Sequence, residues 1–108
     1  MANTTFIDAM DRKLNTVICR IMEALEENDE NLFSEQIKVL KKEKFINGVR
    51  LCDDPDNNYL YYICGYYPWN QTINIKVGGV YDESISINID DENGFKKLRT
   101  LLKKYDII

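Results

Sequence analysis

Two segments in the second half of the chain alternate strictly between apolar and polar residues, and this pattern restricts the fold more than any other. They span residues 71–77 and 84–90, and Gly78-Gly79 begins the loop between them. Alternation with a period of two places each set of side chains on its own face of a strand. The segments predict an antiparallel pair whose buried face holds Ile73, Ile75, Val77, Ile85, Ile87 and Ile89 and whose wet face holds Thr72, Asn74, Lys76, Ser84, Ser86 and Asn88.

Two further strands are predicted ahead of this pair, over residues 48–53 and 58–67. Residues that favour turns fill the loop Asp53–Asn58 between them. Gly65 and the Tyr67-Pro68 dipeptide interrupt or end the second of these strands. The sequence therefore predicts four strands joined by short connections.

Three helices are predicted where apolar residues recur every three or four positions. They cover Asp8–Glu27, Leu32–Lys44 and Asp91–Tyr105, and Asp90 or Asp91 is expected to cap the last. The order of elements predicts an α+β fold in which the N-terminal helices and the C-terminal helix pack on one face of a four-stranded antiparallel sheet. A length of 108 residues suits a single domain, 1–108.

The apolar stripe of the first helix has two interpretations. Its members are Ile7, Met10, Leu14, Val17, Ile21 and Leu25. A stripe of this width more often packs on a sheet, and that is the interpretation we favour. The regular spacing is also compatible with a homodimer formed through the first helix.

The lack of a recognisable targeting signal and the pattern of cysteines predict a reducing compartment. The first residues show no basic segment followed by an apolar run, and no stretch approaches the roughly 18 apolar residues of a membrane span. A cytoplasmic protein with no membrane contact is therefore expected. The three cysteines are predicted to be reduced thiols. A Cys52–Cys64 disulfide across two strands is the alternative, and it requires an oxidising compartment.

The residues favour no catalytic chemistry. The chain has no histidine, the commonest general base and metal ligand, and no phosphate-binding or nucleophile motif. Asp54, Asp56 and Asn58 match the opening of a calcium loop, but Tyr59 replaces its glycine and Gly65 its last glutamate. This segment is predicted to be a turn. We expect no cofactor and no metal, and an enzyme without histidine ranks last among the hypotheses.

The segment from Tyr59 to Trp69 contains five of the seven tyrosines and the only tryptophan. On a strand, Leu60, Tyr62, Cys64 and Tyr66 share one face, and Tyr59, Tyr61, Ile63 and Tyr67 share the other. One core cannot absorb so many hydroxyl-bearing rings, and exposed Tyr and Trp are typical of binding surfaces. We predict an interface containing Tyr59, Tyr61, Tyr67 and Trp69. The alternative is structural: the rings bury their bodies and turn their hydroxyls to water.

Acidic residues near these rings suggest the charge of a partner. The candidates are Asp53, Asp54, Asp56, Asp82 and Glu83, in a chain whose net charge is −4. Such a surface attracts basic proteins. The first functional hypothesis is therefore a cytoplasmic protein-binding module of the immunity-protein, inhibitor or adaptor type. Its partner would be a basic protein such as a toxin or a nucleic-acid enzyme.

A second hypothesis comes from a local resemblance. The run Ser34–Ile46 resembles the recognition helix of winged-helix proteins and its exit into a strand, and Arg50–Tyr62 is similar to the wing that follows. The resemblance covers about a quarter of the chain. It implies a nucleic-acid-binding protein in which Lys38, Lys41, Lys42 and Arg50 contact phosphates.

Overall fold

The computed structural model describes residues 4–54, 60–79 and 82–108, with side chains of the first helix described from Arg12 onward. Within these ranges the elements follow the predicted order of two helices, four strands and one helix. They are α1 (Thr4–Glu27), α2 (Glu30–Lys42), β1 (Val49–Asp53), β2 (Leu60–Tyr67), β3 (Thr72–Gly79), β4 (Glu83–Asn88) and α3 (Gly94–Lys104). The α+β class is confirmed.

The four strands form one antiparallel sheet in sequence order, β1-β2-β3-β4. Ile75 lies opposite Cys64 on one side and Ile85 on the other, which fixes the register of the inward-facing row. The alternating pair predicted from the sequence is confirmed. β3 also includes Gly78 and Gly79, which the sequence assigned to a loop.

The core lies between the helices and one face of the sheet. From the sheet it contains Tyr62, Cys64, Tyr66, Ile73, Ile75, Val77 and Ile87, and from α1 it contains Leu14, Val17, Ile18, Ile21, Met22 and Leu25. The described part of the α1 stripe therefore packs inside its own chain, as burial of a continuous apolar stripe favours. A homodimer through α1 stays a prediction, and it would have to use the exposed side of that helix.

α2 begins and ends two residues earlier than predicted. The side chain of Asp29 accepts a 3.0 Å hydrogen bond from the Leu32 amide and so caps the helix at Glu30. α2 reaches α3 through the rings of Phe33 and Phe95, whose centroids lie 5.1 Å apart.

α3 begins at Gly94, so the predicted cap at Asp90 or Asp91 is wrong. Oδ1 of Asp91 accepts a hydrogen bond from the Asn93 amide, and the Asp91 carbonyl accepts one from the Gly94 amide. Aspartate side chains compete in this way for nearby backbone groups and form turns. The Asp91 carboxylate is therefore already bonded within the turn that precedes the helix. Asn93 occupies the N-cap position and makes no side-chain hydrogen bond there.

The three cysteines are free thiols. Cys64 points into the core, while Cys52 is exposed on the other face of the sheet. A disulfide between them would have to cross the sheet, so the alternative of a Cys52–Cys64 bridge is wrong. In the described part of the chain no helix has the length and apolar character needed to cross a membrane.

Candidate functional site

The face of the sheet turned away from the helices, called here the outer face, is the first candidate surface. Its side chains are exposed or half-buried, whereas the residues that alternate with them face the helices and are buried in the centre of the sheet and half-buried towards its edges. It consists of Arg50, Cys52, Tyr61, Ile63, Tyr67, Thr72, Asn74, Lys76, Ser84, Ser86 and Asn88. The predicted assignment of tyrosines to the two faces of β2 is confirmed: Tyr62 and Tyr66 are buried, and Tyr61 and Tyr67 lie on the outer face.

Each ring on the outer face of β2 lies over a glycine. Tyr61 faces Gly78 across the β2–β3 pair, and a Cβ added to Gly78 would overlap the Tyr61 ring. Tyr67 folds back along its own strand, so that its Oη lies 3.3 Å from the place where Gly65 would carry a Cβ. The bare backbone at a glycine lets a ring pack closely against the sheet. Both tyrosines therefore pack against the sheet and remain half-buried on the outer face.

Trp69, just beyond the end of β2, also lies over a glycine. Its Cη2 lies 3.3 Å from the position of a Cβ on Gly48, and its ring centroid lies 5.3 Å from that of Tyr67. The side chain is still 70% exposed. Ile46, two residues before Gly48, is 88% exposed, and these are the two exposed large hydrophobic residues of the described chain. Ile46, Gly48, Tyr67 and Trp69 are called here the Trp69 corner.

The predicted aromatic residues are thus partly brought together. Tyr67 and Trp69 form one cluster, while Tyr61 lies six residues away along β2. Tyr59 lies outside the described residues. Tyr61 and Tyr67 are half-buried against glycines. They therefore also fit the structural alternative, in which the rings bury part of their surface against the protein.

The predicted acidic residues do not form one surface. Asp54 and Asp82 are exposed, and Asp82 lies 3.4 Å from Lys76 on the outer face. Asp53 and Glu83 alternate with exposed neighbours and face the helix side of the sheet. Asp56 lies outside the described residues.

The carboxylate of Glu83 is hydrogen-bonded to residues at the C-terminal end of α3. Its Oε1 accepts a 2.7 Å hydrogen bond from Lys104 and a second one from the Tyr105 hydroxyl. Both hydrogen bonds lower the pKa of Glu83, and the bond from Lys104 has the larger effect. Glu83 therefore ties β4 to the last helix, and its charge is not available at the outer face.

A small acidic cluster between α1 and the first hairpin was not predicted. The hydroxyl of Tyr62 donates a 2.6 Å hydrogen bond to Oε2 of Glu26, and the carboxyl of Asp53 lies beside them. Partial burial raises the pKa of Glu26, and Asp53 raises it further. Burial, followed by the contact with Glu26, raises the pKa of Tyr62. Because Glu26 comes from a helix and Asp53 and Tyr62 from strands, no spacing in the sequence indicated the cluster.

The residues implied by the winged-helix resemblance lie on two sides of the sheet. Lys38, Lys41 and Lys42 are exposed on α2, in the helix layer, and Nζ of Lys41 lies 2.8 Å from Oδ1 of Asp90. Arg50 is exposed on β1 at the outer face. These cations therefore do not share one surface.

Comparisons with protein-family models, with curated proteins and with solved structures find no match for this chain. The function is therefore inferred from the geometry. Of the residues in the Trp69 corner, Ile46 was not among the predicted site residues. It lies between α2 and β1, outside both predicted elements, so no periodic pattern in the sequence indicated whether its side chain is buried or exposed.

Proposed function

We propose that this protein is a cytoplasmic protein-binding module of the immunity-protein, inhibitor or adaptor type, and that the Trp69 corner is its main contact. The observation that supports this most directly is the exposure of Trp69 beside the Tyr67 ring, with a second exposed hydrophobic residue, Ile46, two positions before the Gly48 on which Trp69 rests. Exposed aromatic side chains that are held by neighbouring rings are typical of interaction sites.

The fixed position of the rings favours tight binding. Trp69 rests on Gly48 and against Tyr67, so its side chain has already lost much of its rotational freedom before a partner arrives. Ordering a flexible side chain at an interface costs about 0.5–1.5 kcal/mol. Tryptophan and tyrosine are also the residues that most often dominate the free energy of binding.

The partner is expected to be basic, such as a nuclease toxin or another nucleic-acid enzyme. The chain has a net charge of −4, and Asp54 and Asp82 place exposed carboxylates near the outer face. Complementary charge of this kind accelerates association more than it strengthens the final complex. Asp53 and Glu83, which face the helix side, contribute to the overall field only.

The test compares matched variants of the purified complex. A partner is first isolated from the native host with the wild-type protein, and its affinity is then measured calorimetrically for the wild type, Trp69→Ala and Ser86→Ala. Ser86 is an exposed outer-face residue on β4, remote in sequence from the corner. We expect Trp69→Ala to raise Kd about 30-fold, equivalent to about 2 kcal/mol, and Ser86→Ala to change it less than threefold.

Circular dichroism of both variants separates an interface from a structural role. If Trp69→Ala unfolds the protein, or binds as tightly as the wild type, the Trp69 corner is not the contact. The charge component is tested with Asp54→Asn and Asp82→Asn. Both should lower the association rate at low salt and leave the dissociation rate almost unchanged.

Nucleic-acid binding through α2 is the alternative, and the same sample tests it. Charge reversal at Lys38 and Lys42 should abolish a salt-sensitive shift of duplex DNA if those residues contact phosphates. Absence of any shift of wild-type protein at low salt would reject this alternative and leave the protein-binding proposal in place.

A further inference from the structure

A cavity on the helix side of the molecule presents three cations to solvent. It measures about 360 Å³ and lies where α3 faces the turn between α1 and α2. This volume falls within the roughly 300–1,000 Å³ of small-molecule sites. The lining includes Lys96, Arg99, Lys103, Asn28, Asn93 and Thr100.

Arg99 is fixed in position by the protein. Its Nε donates a 2.9 Å hydrogen bond to the carbonyl of Leu25 in the last turn of α1, and its guanidinium carbon lies 6.0 Å from the centroid of the Phe95 ring. The two Nη groups make no hydrogen bond to any described residue. A guanidinium fork held in this way is preorganised to bind a phosphate or carboxylate with two parallel hydrogen bonds.

The cations of the cavity outnumber its carboxylates and form no direct ion pair with them in the described part of the chain. Glu30 and Glu92 also line it, but neither forms an ion pair with Lys96, Arg99 or Lys103 in the described part of the chain. The ion pairs of α3 involve other lysines, Lys97 with Asp91 and Lys104 with Glu83. The lining therefore has a net positive charge, although the chain as a whole is acidic.

We propose that this cavity binds a small-molecule phosphate monoester. The phosphoryl dianion would lie against the Nη groups of Arg99, with Lys96 and Lys103 beside it. A dianion is favoured over a single carboxylate because it can interact with several cations at once. The side-chain amides of Asn28 and Asn93 offer donors and acceptors to the organic group of the ligand. The site is separate from the Trp69 corner and does not depend on the protein-binding proposal.

The test is a titration with inorganic phosphate, followed by amide chemical shifts at constant ionic strength, with acetate as the monoanion for comparison. We expect saturable shifts confined to residues 93–103 and to the neighbourhood of Asn28, and weaker or no saturation with acetate. Glycerol phosphate, as a simple monoester, should bind at least as tightly as inorganic phosphate. Shifts that stay linear, or that acetate reproduces, would overturn the proposal. Saturation by inorganic phosphate with exclusion of glycerol phosphate would overturn the assignment of a monoester.

Variants localise the site. Arg99→Lys should raise Kd at least tenfold, because lysine keeps the charge but lacks the fork. Lys103→Gln should raise Kd about threefold, and Glu92→Gln should lower it by a similar factor. Since Arg99 also contacts the end of α1, the Lys103 and Glu92 variants keep the test valid if Arg99→Lys loses its fold. Lys38→Gln on α2 is the matched control, and an effect as large as that of Lys103→Gln would show general charge screening and reject the site.

Discussion

The hydroxyl of Tyr62 donates a 2.6 Å hydrogen bond to Oε2 of Glu26 and joins the centre of the sheet to the last turn of α1. Burial is the largest influence on the Glu26 carboxyl and raises its pKa, while the bond from Tyr62 lowers it and the neighbouring Asp53 raises it again. The pair thus combines a fully buried phenol with a carboxyl that keeps its proton to higher pH than a free glutamate.

Glu26 should give the fold a measurable dependence on pH. Because its pKa is higher in the folded chain, the folded state binds the proton more tightly, and the contribution of Glu26 to stability is greatest below the ordinary value of 4.5 and falls as pH rises through the folded value. Glu26→Gln should remove this slope and stabilise the protein by roughly 0.5 kcal/mol at pH 7, a small effect because the group is partly exposed. Urea denaturation at a series of pH values measures it.

The control for this prediction is Glu35→Gln, an exposed position in α2. It should retain the pH slope of the wild type. A Glu26→Gln profile that runs parallel to the wild-type profile would show that the proton on Glu26 does not influence folding.

Removing the Tyr62 hydroxyl should destabilise the protein. Tyr62→Phe leaves the carboxyl of Glu26 beside Asp53 without its donor, and the loss of a hydrogen bond to an ionisable group costs about 1.5 kcal/mol. Tyr66→Phe is the matched control, since the equally buried Tyr66 makes no hydrogen bond to a described residue, and it should cost less than about 0.5 kcal/mol. Equal losses in the two variants would mean that the bond to Glu26 contributes nothing.

The strands, and which of their side chains face the core, could be predicted because apolar and polar residues alternate along a strand that has one buried face. Ile73, Ile75 and Val77 are fully buried, as their period of two required. The start of α3 could not be predicted, because the Asp91 side chain satisfies the Asn93 amide in a turn and so does not cap a helix. Such a choice depends on local geometry that residue types alone leave open.

The candidate site was predictable in part for the same reason. The outward direction of Tyr61 and Tyr67 follows from the alternation of β2. That each ring rests on a glycine does not follow, because Gly78 meets Tyr61 only through the register of two strands. The acids were grouped by their nearness in sequence, and neither the contact of Glu83 with α3 nor that of Asp53 with Glu26 is encoded in that nearness.

The three thiols should differ sharply in reactivity. Cys19 and Cys52 are exposed, whereas burial raises the pKa of Cys64 to about 12. Since the thiolate is the reactive form, iodoacetamide should label Cys19 and Cys52 in the native protein and Cys64 only after unfolding. Mass spectrometry of tryptic peptides measures this, and Cys52→Ser provides a control with one reactive site. Protection of Cys52 together with Cys64 would contradict the placement of these residues on opposite faces.

The contact between Tyr61 and Gly78 should appear as energetic coupling. A Cβ at Gly78 overlaps the Tyr61 ring, so Gly78→Ala forces the ring off the sheet and should cost about 1 kcal/mol. The cost stays modest because the ring is the free end of a side chain that can rotate away. In the Tyr61→Ala background the same substitution should be almost neutral, which gives a coupling of about 1 kcal/mol in a double-mutant cycle measured by urea denaturation.

Gly48→Ala provides the contrasting case. There the added Cβ would lie 2.8 Å from the backbone carbonyl oxygen of Tyr66, which cannot rotate away. It should therefore cost about 2 kcal/mol or more, and truncation of the ring above it in Trp69→Ala should not rescue it. Its displacement of the indole should also shift the fluorescence of the single tryptophan. Full additivity of Gly78→Ala and Tyr61→Ala would show that the Tyr61 ring does not pack on Gly78 as described. Full rescue of Gly48→Ala by Trp69→Ala would show that the Trp69 ring, and not the Tyr66 carbonyl, excludes a Cβ at Gly48.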